Sequence, residues 1–266
     1  MRKTLVAASL IAVATLGARH VGAITFGHPD GDGHPAVVVL VDEHAERLCS
    51  GTLVAPRIVV TAAHCLRAVV DDELGVSFDP VFRRGVSDVI RGTGIAAVDP
   101  ARFRGVAGAA VRYGNSDLGD DIAVVHLDED APTGITMAEL PTAGLLSTLS
   151  LKGQTFTAVG FGVVRSDKTK GPNSWEPNRE PDVRNVAIEG FRSLQSGAIT
   201  VSQNPATGDG GICFGDSGGP HFLGDSNLMV AITVLGDSAC QSTGRHYRLD
   251  IPFARQFLAS QGVSVP

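Results

Sequence analysis

Gly215-Asp216-Ser217-Gly218-Gly219-Pro220 governs how this chain is read, because Thr61-Ala62-Ala63-His64-Cys65 answers it about 150 residues upstream. A serine hydroxyl is a poor nucleophile at neutral pH until a neighbouring imidazole takes its proton, and that imidazole needs a carboxylate to fix its tautomer. Ser217 and His64 supply two of the three groups. Asp121 supplies the third, in Asp120-Asp121-Ile122-Ala123-Val124-Val125, where it heads an apolar run that reads as a buried strand. Singly, a serine between glycines is usually a turn, and a histidine after two alanines a satisfied core residue. All three motifs in the order His, Asp, Ser rarely coincide by chance.

Outward from these motifs the chain is a series of short apolar runs with almost no helical periodicity. Residues 36–41, 51–54, 58–61, 122–127, 155–161, 183–191, 198–203, 229–235 and 247–250 read as strands. The 32 glycines and 14 prolines supply the turns between them, a pattern that specifies an all-β barrel or sandwich. Only the tail, 252–261, reads as a helix, with Phe253, Phe257 and Leu258 at helical spacing. Two more polar segments, 68–118 and 165–184, read as surface loops. No internal repeat is visible.

With 43% hydrophobic residues the chain has ample material for a core. Its first residues fall outside that core. Arg2 and Lys3 form a basic start, 4–17 an apolar stretch, and Val21-Gly22-Ala23 a small-residue cleavage signal, so 1–23 is expected to be a secretory signal peptide and 24–266 the functional domain. The apolar stretch is shorter than the ~20 residues of a spanning helix. Without Arg2, Lys3 and Arg19 the chain carries 19 basic against 28 acidic residues, about −9. That balance, with no basic cluster, argues against nucleic acid and anionic membranes as partners.

Four cysteines in an exported chain should pair, in any of three connectivities. Zinc is disfavoured because no two short C-x-x-C spacings occur. Asp30-Gly31-Asp32-Gly33 and Asp71-Asp72-Glu73 are acidic clusters without a complete calcium-ligand spacing, and read as a turn and a charged loop.

The three motifs in this order resemble those of the chymotrypsin-like (trypsin-like) serine peptidases, in a form closest to secreted bacterial members, and the resemblance covers nearly everything after residue 23. It implies two six-stranded antiparallel β-barrels and a short C-terminal helix, with His64 and Asp121 on the first barrel and Ser217 on the second. Asp121 is preferred over Asp120 because it directly precedes Ile-Ala, as in the family motif. The backbone amides of Gly215 and Ser217 match the oxyanion hole, and the cysteines match as Cys49 with Cys65 and Cys213 with Cys240. A new N-terminus at Ile24 would pair with Asp216. The implied protein is a monomeric endopeptidase acting on protein or peptide substrates without a cofactor or metal; the rival reading is an inactive homologue that binds a partner.

The specificity pocket departs from the familiar pattern. Gly211 falls at the pocket floor, where trypsin-like enzymes place an aspartate, so cleavage after Arg or Lys is not expected. Gly236 matches the pocket wall in Thr233-Val234-Leu235-Gly236, but Val234 lacks the hydroxyl that usually supports the catalytic aspartate. In Gly244-Arg245-His246-Tyr247 the register is open. Arg245 facing inward would favour an acidic residue before the scissile bond, whereas Gly244 facing inward would leave an apolar pocket, and the apolar pocket is preferred.

Overall fold

In the computed structural model residues 24–42, 44, 46–69, 73–103, 119–163 and 182–266 are described. The expected signal peptide, Asp71, Asp72 and most of the loop 165–184 lie outside the described residues. Val37-Val38-Val39-Leu40-Val41 shows why the chain takes to strands. Its β-branched side chains are stiff in a way that suits a pleated surface, and all five are buried.

Six such strands close the first barrel: β1 Val37–Val41, β2 Arg47–Ala55, β3 Ile58–Thr61, β4 Glu73–Ser77, β5 Ile90–Ala96 and β6 Ala123–Leu127. Their order is β1-β2-β3-β6-β5-β4, and Val39 pairing with Ser77 closes the ring. The second barrel contains β7 Thr155–Gly160, β8 Asn185–Leu194, β9 Ala198–Ser202, β10 Pro220–Leu223, β11 Met229–Gly236 and β12 Thr243–Arg248. Its order, β7-β8-β9-β12-β11-β10, closes where His221 of β10 pairs with Ala158 of β7. Both rings follow one permutation, so a single topology is used twice although the sequence shows no repeat. The expected C-terminal helix is present at Pro252–Ser260. Side chains from both barrels, among them Val38, Val124, Phe222, Ile232 and Tyr247, merge into one apolar core.

Three expectations are corrected. The segment 68–118, expected to be a surface loop, contains the barrel strands β4 and β5. In β5 the inward positions are Gly92 and Gly94, both buried, and the space their side chains would fill belongs to Val125 and Leu66. Glycine at the inward positions hides the alternation that marks a strand. The last strand starts at Thr243 rather than 247, and β10 was not expected at all.

Arg184, placed in the second surface loop, is buried at 1% exposure. Its Nε donates to Asp30 Oδ2 at 2.9 Å, and its remaining nitrogens donate to the carbonyls of Val37, Phe78 and Gly31. Asp30 also accepts from the backbone of His34 at 2.9 Å and meets its ring. The acidic cluster at 30–33 is thus a turn whose first carboxylate is already committed, in agreement with the turn reading.

Candidate active site

β3 ends at Thr61, and the chain turns at Ala63–Ala68 into a short 3-10 helix that carries His64 and Cys65. The Cys49–Cys65 disulfide ties this helix back to β2. At the entry to β6, Gly119 and Asp120 both have positive φ, and this tight turn brings Asp121 inward just before the strand. Asp121 is fully buried. Its Oδ1 accepts the His64 backbone N–H at 2.8 Å, and its Oδ2 lies 2.7 Å from His64 Nδ1. Holding the imidazole at ring and backbone fixes its orientation. Asp120 is engaged elsewhere, accepting the Tyr247 hydroxyl of the second barrel at 3.0 Å.

Ser217 sits in the loop between Cys213 and β10, anchored by the Cys213–Cys240 disulfide. The loop is pressed onto the first barrel. Ser50 N–H donates to the Ser217 carbonyl at 2.9 Å, the Ser50 hydroxyl to the Gly215 carbonyl at 3.2 Å, and Thr61 Oγ1 to the Ser50 carbonyl at 2.9 Å. Gly218, at φ +77°, touches Thr61 and Ala62 so closely that a Cβ there would lie 2.0 Å from Thr61 Oγ1. That approach brings the candidate nucleophile to the strand end that leads into His64.

The amides of Asp216, Gly218 and Gly219 have backbone acceptors, whereas those of Gly215 and Ser217 have none among the described residues. Gly215 reaches this arrangement with φ +99°, which a side chain would strain. Two free amides flanking a serine are what a developing oxyanion needs. Asp216 is fully buried, its two carboxylate oxygens accepting from Gly162 N–H at 2.7 Å and Cys213 N–H at 2.8 Å. Ile24 is also buried, in a cluster with Ala158, Ala187 and Ile212, and Thr25 forms a two-way backbone bridge with Gly211.

The region around Gly211, Gly236 and Gly244 is shaped by a bulge. β11 pairs with β12 as Thr233 to His246 and then Leu235 to Arg245, leaving Val234 as the extra residue. This bulge puts Thr233 and Gly236 on one face together with Gly244 and His246. A Cβ on Gly244 would lie 2.4 Å from His246 Nε2, so Gly244 faces the same way as that ring, and alternation sends Arg245 to the other face. Of the two registers open in the sequence, the structure has Gly244 and not Arg245 on this side. Val234 offers Asp121 no hydroxyl, and among the described residues both hydrogen bonds that Asp121 accepts come from His64.

Sequence reasoning missed a buried polar layer in the second barrel. Glu189, Gln203, His221 and His246 are all at 0% exposure. His221 Nδ1 lies 2.8 Å from Glu189 Oε2, its Nε2 lies 2.9 Å from Thr233 Oγ1, and its ring stacks on His246 with centroids 3.5 Å apart. The available signal was Glu189 interrupting the apolar run Val186-Ala187-Ile188.

Two six-stranded barrels, with a buried Asp–His pair on one and a glycine-flanked serine on the other, are the architecture of the chymotrypsin-like serine protease class. The profile of the family described as Trypsin matches residues 24–258. The chain belongs to that family. Relatives include a chymotrypsin of Phaedon cochleariae, 24% identical over 73% of this chain, and a trypsin-like protease of Streptomyces glaucescens, 27% identical over 75%. A brachyurin of Leptuca pugilator is 28% identical over 79% of the chain and 84% of its own length. The chain spans 65% of the length of the Phaedon cochleariae chymotrypsin and 69% of the Streptomyces glaucescens protease. Among solved structures, HL collagenase superposes over 91% of this chain and all of its own, with a TM-score of 0.65 at 18% identity. Mouse neuropsin does so over 90% with a TM-score of 0.61 at 21% identity, and both likenesses concern the fold.

Proposed function

We propose that this chain is a secreted serine endopeptidase that cleaves peptide bonds through an acyl-enzyme. Ser217 Oγ attacks the scissile carbonyl as His64 accepts its proton, and His64 then hands that proton to the leaving amine. Asp121 orients the ring and stabilises its cation, while the Gly215 and Ser217 amides receive the negative oxygen. The observation that carries this reading is the two-point hold of Asp121 on His64. Secretion is inferred from residues 1–23 and from two disulfides, which persist in oxidising compartments. No helix among the described residues is long and apolar enough to cross a membrane.

Export itself creates the working terminus in this proposal. Cleavage after Ala23 frees Ile24, whose ammonium then pairs with Asp216. The buried setting of both residues supports this route. The rival, an inactive homologue acting as a binding module, is separated by an active-site phosphonylating reagent. Stoichiometric labelling at Ser217 of the processed, oxidised protein is the expected result, and no labelling would leave the binding reading.

A further inference from the structure

Three glycines lie against the buried polar layer of the second barrel. A Cβ on Gly211 would fall 2.5 Å from Gln203 Nε2 and 2.6 Å from Glu189 Oε1; on Gly244 it would meet the His246 ring, and on Gly236 it would come within 3.6 Å of Gln203 Oε1. At Gly211 and Gly244 no larger residue fits without displacing these groups, and at Gly236 a Cβ would meet Ile212 at 2.7 Å. The layer is also one hydrogen-bond step from the nucleophile loop. Thr233 pairs through its backbone with Gly218 and Gly219 and through Oγ1 with His221.

Several of its atoms are unsatisfied. Both nitrogens of His246, and Oε1 of Gln203, are buried without a hydrogen-bond partner among the described residues. A buried donor or acceptor left open costs ~1–3 kcal/mol, and an occupant that pairs with it recovers that cost. Glu189, His221 and His246 also have ligand-type atoms within 4.8 Å of one another. A shared metal ion does not suit them, because the lone pairs of two rings stacked at 3.5 Å and 28° run side by side and do not converge.

Charge and hydrogen bonding specify the occupant. Glu189 and His221 face each other at 2.8 Å, so the carboxylate of this layer already has a partner. Burial, and then the charge of His221, hold His246 well below the ordinary imidazole range, so it rests neutral. The titratable groups facing it are His221 from β10 and Glu189 from β8; β9 and β11 pair Ile199 and Thr233 with it, and neither titrates. A neutral imidazole always carries one N–H. An apolar side chain leaves that N–H unsatisfied. So does Lys or Arg, which has donors and no acceptor.

Resting on the peptidase reading above, we propose that this layer recognises an acidic side chain immediately before the scissile bond, with His246 taking one proton from solvent as the carboxylate docks. The imidazolium then presents two N–H donors and the guest carboxylate cancels its charge, so docking leaves the net charge of the layer unchanged. Gly244 facing inward therefore makes the pocket polar, contrary to the apolar pocket that this register alone suggests.

The test uses the processed enzyme and two peptide substrates that differ only by Glu or Gln before the cleaved bond, with kcat/KM measured for each from pH 5.5 to 9. Their ratio cancels the titration of His64, which both substrates share. The Glu to Gln ratio is expected to exceed 10 at the acidic end. It should fall about tenfold per pH unit once pH passes the point at which docked His246 loses its proton. His246→Phe keeps a ring on the stack and should lower the acidic-end ratio to about 1 or below, whereas Arg245→Ala, on the other face, leaves it within about threefold. A ratio near or below 1 at all pH values, or one independent of pH, overturns the inference even if His246→Phe fails to fold. Phosphonylation at Ser217 is run in parallel. Labelled enzyme without the ratio refutes this inference alone, and unlabelled, inactive protein refutes the peptidase reading and this inference with it.

Discussion

Asp120 and Asp121 are neighbours in sequence and opposite in use. The tight turn at Gly119 and Asp120 aims one carboxylate at Tyr247 across the barrel interface and the next at His64. Asp121→Asn should place the wrong tautomer on His64 and lower kcat by more than about 10³-fold, the scale on which members of this family respond to loss of a triad residue. Asp120→Asn keeps an oxygen for the Tyr247 hydroxyl, and kcat should stay within about threefold. Ser217→Ala and His64→Ala should each abolish hydrolysis with the folded state retained, since neither side chain anchors the core. Single-turnover and steady-state kinetics, with thermal melts of every variant, measure all four. Residual turnover above about a tenth of wild type in Ser217→Ala would remove Ser217 from its role.

At the scale of the element, β5 illustrates what a sequence hides. Its inward residues are glycines, and Leu66, from the helix that carries His64, occupies the room at Gly94. Gly94→Ala would set a Cβ 2.7 Å from Leu66 Cδ2 and push that helix. Overpacking of this kind costs about 1–3 kcal/mol, which for a chain of this size is a loss of roughly 2–10 °C in Tm. Because Leu66 lies two residues from His64, kcat/KM should fall more than the melting temperature alone would suggest. Differential scanning calorimetry beside an activity assay checks both, and an unchanged Tm would show that Leu66 yields freely. The same feature explains the limits of the sequence reading. The disulfide pairing came from the family resemblance, whereas the triad motifs and most strand positions were legible because they rest on local residue types and apolar runs. β4 and β5 were not, since Gly75, Gly92 and Gly94 take the places where an apolar alternation would appear. The polar layer was equally opaque. Its four members come from four separate segments, and only the Val234 bulge and barrel closure bring them together.

The whole molecule depends on how its two barrels are joined to the segment that precedes them. Arg184, just before β8, grips Asp30 and Gly31 near the N-terminus and Val37 at the start of β1, so one buried guanidinium fastens three parts of the chain. Burial raises the Asp30 carboxyl, but the hydrogen bonds and charge of His34 and the charge of Arg184 outweigh it and leave Asp30 below its ordinary value. A carboxyl depressed in the folded state stabilises above its unfolded pKa of ~3.9, and that stabilisation is lost as pH falls through the folded value. Asp30→Asn should cost ~3–5 kcal/mol near neutrality by leaving a buried charge unpaired, and the gap in Tm from wild type should narrow below about pH 4. A gap of constant size across pH would assign the loss to packing. The N-terminal segment also bears the last prediction. Ile24 is buried beside Ile212, and Thr25 is bonded to Gly211, so the stretch that would carry a new terminus already lies against the Ser217 loop. Pairing with Asp216 favours the charged ammonium and raises its pKa above the ordinary α-amino range. Such a pair would therefore support activity fully at neutral pH and lose it as pH rises through the raised value. N-terminal sequencing of the secreted active protein should begin at Ile24, and any other start removes the direct route. Adding one residue before Ile24 should lower kcat/KM by at least tenfold and abolish its alkaline decline, whereas full turnover by the extended chain would show that the Ser217 loop forms without the pair.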